Sequence, residues 1–84
     1  MRRPPMVLLI WMDACADSGD WLYPTDIEHE LVPIHSVGYL VKQTDTSVTI
    51  AQSIDHEGKS GERLTVPSDC IQDVQHLVIK TSVD

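Results

Sequence analysis

The sequence predicts a mostly β (β-rich α+β) fold: a small five-stranded SH3-like or Sm-like bent sheet or barrel, with one short helix after strand one. Three observations predict it. Short apolar or alternating segments recur at 6–12, 36–44, 47–53, 62–66 and 71–79, separated by turn residues. A single stretch, Thr25-Asp26-Ile27-Glu28, carries a helix-start pattern. The length of 84 residues, 42% of them hydrophobic, supplies one core, so 1–84 is read as a single domain with an ordered core over about 6–79.

Met6 to Met12 is a continuous apolar run, too short for an ordinary helix and suited to a strand buried on both faces. A polar loop follows from Asp13 to Asp20. Trp21-Leu22-Tyr23 extends to Pro24. In the Thr25–Glu28 box, the threonine hydroxyl accepts from the Glu28 amide and the glutamate reaches back. Asp26 and Glu28 also suit the positive end of a helix dipole. Pro33 disfavours helical geometry just before it, so this helix stops near Val32, with Ile27 and Leu31 as its buried stripe.

Ser36 to Thr44 alternates: Val37, Tyr39 and Val41 point one way, Gly38, Leu40 and Lys42 the other. Asp45-Thr46 is a tight turn, and Ser47 to Ser53 returns with Val48 and Ile50 on one face. Ile54 to Gly61 reads as a loop. Glu62 to Val66 is the fourth strand, with Leu64 and Val66 inward. Pro67-Ser68-Asp69-Cys70 forms one helical turn before the last strand, Ile71 to Ile79. A short turn between strands four and five is typical of SH3-like and Sm-like barrels, an architectural analogy that carries no function.

The net charge is −7, and no Lys or Arg lies between Pro4 and Val41, where Asp13, Asp17, Asp20, Asp26, Glu28 and Glu30 cluster. Duplex nucleic acid needs clustered cations, so it is excluded as a general partner. The acidity keeps a small domain soluble, or meets a basic partner. Cys15 and Cys70 read as free thiols of a reducing cytoplasm. The start, Arg2-Arg3 before an apolar run and Ala14-Cys15-Ala16, loosely resembles a signal peptide. Its seven apolar residues end at Asp13, and a first strand is the preferred reading. No segment has the length of a membrane-spanning helix.

Chemistry-bearing motifs are absent. His29, His35, His56 and His76 lack zinc-ligand spacing, and Asp13-x-Cys15-x-Asp17 lacks the length of a calcium loop, so no metal or cofactor is expected. Gly58-Lys59-Ser60-Gly61 lacks the upstream glycine and following helix of a phosphate loop, and no serine sits in a nucleophile elbow. The expectation is a non-enzyme.

An up-and-down meander sets the start of strand two beside the end of strand three and the start of strand four. His35, Ser36, Ser53, His56, Lys59, Ser60 and Arg63 then gather at one end, with Trp21 and Tyr23 nearby. Arg63 offers a planar donor fork for phosphate or carboxylate, and aromatic rings stack on bases. The expected ligand site is therefore Trp21, Tyr23, His35, Ser36, Lys59, Ser60 and Arg63. In the competing reading Trp11 and Tyr39 are core and Lys59 and Arg63 are solvated.

Trp11-Met12-Asp13-Ala14, Trp21, Ser36-Val37-Gly38-Tyr39-Leu40-Val41, Val48-Thr49-Ile50-Ala51-Gln52-Ser53, and Val66-Pro67 with Ile71 beyond carry a resemblance over most of residues 7 to 77. In them the chain resembles a group of small proteins encoded by bacteriophages and prophages, which has no known catalytic motif. This copy adds an Arg2-Arg3-Pro4-Pro5 start. The resemblance implies an accessory protein in the cytoplasm of a bacterial host that acts by binding: sequestering a small nucleotide signal of antiphage defence, or inhibiting a host protein. An acidic protein-interaction inhibitor and a virion assembly accessory are the alternatives.

Self-association is expected independently. Strand one is apolar throughout and strand two carries apolar residues on both faces, yet one barrel has one inside. A two-turn helix covers little area, so a homo-oligomer, a dimer or higher, is expected to cover the rest.

Overall fold

The computed structural model describes residues 3–14, 21–27 and 31–80. Five antiparallel strands form one sheet: β1 (Met6–Asp13), β2 (Val32–Gln43), β3 (Ser47–Ile54), β4 (Ser60–Pro67) and β5 (Ile71–Leu77). Their order across the sheet is β4-β3-β2-β1-β5. β1 lies between β2 and β5 and is hydrogen-bonded on both sides.

Register assigns every side chain to a face. Val7 sits opposite Gly38 and His76, Leu9 opposite Ser36 and Val74, and Trp11 opposite Ile34 and Ile71. On this first face Val7, Leu9, Val48, Ile50 and Val66 form the buried cluster, flanked by Trp11, Leu40, Cys70, Ile71 and Val74. Two irregularities keep apolar side chains on it. Gln72 is the extra residue in β5 between Asp73 and Ile71, so Ile71 and Val74, three apart, both reach the core. Val41 is the corresponding extra residue in β2, between Leu40 and Lys42.

Local chemistry sets the turns. Thr44 Oγ1 accepts from the N–H groups of Thr46 and Ser47 at 3.2 and 3.1 Å, closing the β2–β3 hairpin. In the β3–β4 loop, Asp55 Oδ1 accepts from the amides of Glu57 (2.9 Å) and Lys59 (2.8 Å). Gly58 there takes a φ of 87°, a left-handed conformation that glycine enters without steric cost. The turn expected at Pro67–Cys70 is a 3₁₀ turn over Ser68–Cys70.

Three expectations need correction. The helix after strand one is not formed as read: Pro24–Asp26 is a lone 3₁₀ turn, and Ile27 already has extended backbone (φ −82°, ψ 122°). Proline fixes the first turn, but with no residue of it buried, no packing favours its continuation into a helix. Glu28, the partner in the capping box, lies outside the described residues, as do His29 and Glu30. Strand two starts four residues early and includes Pro33. The β3 ladder covers only Tyr39 to Gln43, so β2 around Pro33 is an edge strand, where a missing N–H is tolerated. Strand five ends at Leu77, not Ile79. Leu77 pairs with Met6; before Met6 the Pro5 carbonyl is turned to β2, and Pro4, next in line on the β5 side, has no N–H to donate.

The chain as a whole has a radius of gyration of 17.4 Å, against ~12 Å for a compact chain of this length.

Candidate functional site

β2 and β3 part company beyond the Tyr39–Ala51 pair. Two clefts open around this divergence. The first, about 250 Å³, is lined by Ser36, Val37, Ile50, Ala51, Gln52, Glu62 and Leu64. The Ser36 hydroxyl there already accepts the Trp11 Nε1–H at 3.1 Å, which leaves Gln52 and Glu62 as the cleft's other polar side chains. That bond joins β1 to β2 beside the core and orients the indole.

The second cleft, about 280 Å³, is lined by Arg3, Tyr39, Ile54, Asp55 and His56. Arg3 is brought there by the chain before β1, where the Leu40 N–H donates to Pro5 O at 2.8 Å and extends the ladder backwards. Tyr39 stands on the second face, half-buried between Met6 and Ala51. Asp55 and His56 belong to the loop that Asp55 itself organises. A guanidinium fork, a phenol and an imidazole thus share one opening. Such a set donates to phosphate or carboxylate oxygens and offers a ring for stacking. The Asp55 carboxylate is engaged by two backbone N–H groups, which offsets its charge. The size is at the lower end of small-molecule pockets and suits a phosphate with one sugar or base.

The residues expected from sequence are distributed, not gathered. Ser36 lines the first cleft and His35 lies on the opposite face, because neighbours along a strand alternate. His35 is exposed, with Ile10 and then Asp73 across from it. Lys59 pairs with Glu57 at 3.1 Å on the loop surface. Ser60 opens β4, and its carbonyl accepts from Arg63 Nη1 at 3.1 Å, so the Arg63 fork is turned back on its own strand. Trp21 and Tyr23 are fully and largely exposed, and the depression beside them is lined only by themselves and Leu22 among the described residues. His56, grouped with this end on the sequence, does line the second cleft. Arg3 and Tyr39 were not among the expected ligand residues. Arg3 precedes two prolines and looks like a tail, and Tyr39 reads as core by alternation. Only the continuation of the ladder to Pro5 brings them together.

Among the described residues no group of three His, Cys, Asp or Glu side chains is placed to hold a metal, and no helix is long and apolar enough to cross a membrane. Cys70 is half-buried against the core, and Cys15 lies outside the described residues. No protein-family model matches the chain, and neither a curated protein nor a solved structure is detectably similar to it.

Proposed function

We propose that this chain is a non-enzymatic accessory binding protein of the phage-encoded kind, which sequesters a small nucleotide in the cytoplasm of a bacterial host. One observation carries the reading: Arg3, Tyr39 and His56 line a single cleft of about 280 Å³. In this reading Arg3 holds the phosphate, Tyr39 stacks on the base and His56 adds a hydrogen bond. We read the sheet itself as SH3-like or Sm-like, supported by the order β4-β3-β2-β1-β5 and the 3₁₀ turn between β4 and β5. Calorimetry against a panel of cyclic and linear nucleotides tests the function. Heat of binding is expected with at least one of them, with affinity about tenfold or more weaker in Arg3→Ala. No heat with any nucleotide, at protein concentrations well above micromolar, refutes it.

A second reading, inhibition of a host protein, is favoured by a different observation. Trp21, Leu22 and Tyr23 project from the loop after β1 with relative exposures of 103%, 51% and 79%. Exposed aromatics beside carboxylates are the anchors a protein interface uses. Capture of a host protein that weakens with salt and is lost in Trp21→Ala supports this reading, because exposed charge pairs are screened.

A further inference from the structure

We infer that the second face of the sheet is an interface between copies of this chain. Met6, Leu8, Ile10 and Met12 alternate with the core residues of β1 and so share that face. Register places Leu8 between Val37 and Gln75, and Met6 between Tyr39 and Leu77. Val37 is 63% exposed and Leu77 37%. A central strand apolar on both sides belongs in a sheet covered on both sides. Among the described residues only the first face has a buried core. In the connection from β1 to β2, Trp21 to Ile27 is exposed throughout.

The area agrees. The chain exposes 7191 Å², whereas a compact chain of its mass exposes about 5,000 Å². The excess, roughly 2,000 Å², is shared among the exposed Trp21–Ile27 segment, the residues after β5 and the open face, and a specific interface draws ~800 Å² from each partner. Charge points to a second copy as the occupant. At −7, copies repel wherever charged surfaces meet, so their contact requires a patch without charge. The β1–β2 centre of this face is such a patch. Its flanks carry opposite signs: Asp73 on β5 at one side, Arg63 on β4 at the other, each placed by register on this face. A two-fold axis parallel to the strands lays the acidic flank of one copy toward the basic flank of the other, which makes the face self-complementary. Tyr39 shares this face, so the Arg3–Tyr39–His56 cleft borders the interface. The interface stands whether or not that cleft takes a nucleotide.

Light scattering on the full chain across a dilution series tests the inference, with Val37→Glu, Gln75→Lys and the turn variant Thr46→Glu alongside. Val37, Gln75 and Thr46 are exposed in the single chain, so their substitution leaves the sheet intact, as circular dichroism reads. The expected result is a multiple of 9.4 kDa for the natural chain and Thr46→Glu, falling toward 9.4 kDa in Val37→Glu or Gln75→Lys. A mass of 9.4 kDa at the highest concentration overturns the inference and leaves the face to a different partner. An unchanged multiple in both face variants overturns it too and moves the interface elsewhere.

Discussion

Replacing Gly38 by alanine tests how closely β2 and β3 approach. Gly38 is buried, facing Val7 across the β1–β2 ladder. A Cβ built there lies 2.9 Å from the Ala51 carbonyl oxygen and 3.2 Å from Ile50 Cβ. The first contact is with backbone, which yields only if β3 moves away from β2 just where their ladder ends. Overpacking of this kind costs about 1–3 kcal/mol. Alanine recovers about 0.4–1 kcal/mol by restricting the unfolded chain. The net expectation is a loss of ~1–2 kcal/mol, from a total of ~4–12 kcal/mol for a chain this long. That lowers the melting temperature by about 5–15 °C. Thermal unfolding followed by circular dichroism at one protein concentration measures it. Gly61→Ala is the control, since nothing lies within 4 Å of a Cβ at that position. It should be neutral or slightly stabilising. Equal melting temperatures for Gly38→Ala and the natural chain, or equal damage from both variants, refute the close-approach argument.

Two further predictions concern side chains that shape the clefts. Trp11→Phe and Ser36→Ala each break the 3.1 Å indole–hydroxyl bond, and a double-mutant cycle in urea should return a coupling of about 1 kcal/mol; additive effects would show that the bond contributes nothing. In the β3–β4 loop, Gly58→Ala forces a Cβ into a φ of 87° and should cost about 1–2 kcal/mol. Asp55→Ala removes the acceptor of two backbone N–H groups and should cost a similar ~1–2 kcal/mol. Unchanged urea midpoints in both loop variants would contradict the role given to this turn.

Much of the fold was legible in local pattern. The apolar run of β1, the alternation of β2 and β3 and the turn at Pro67–Cys70 all appear near their expected positions. The reason is that alternation, turn chemistry and apolar runs are written in near neighbours. The site was legible only in fragments. His56 and the strand ends could be placed near one another by meander logic, yet His35 and Ser36 were grouped although a strand sends neighbours to opposite faces.

What the sequence determined by itself was therefore a mostly β chain with hairpin turns and an excess of apolar residues for a single inside. Three things were decided only by the tertiary structure, each by cross-strand pairing. Pro4 ends β5, because it offers no N–H on the side where that strand would continue. Gln72 and Val41 reset which side chains face the core, because a bulge shifts the alternation by one residue. Arg3 joins Tyr39 and His56 because the β1–β2 ladder runs on to Pro5 and carries Arg3 to the β3–β4 loop. Cross-strand register sets all three, through pairs that lie 71 positions apart at Met6–Leu77 and 10 apart at Leu40–Ile50.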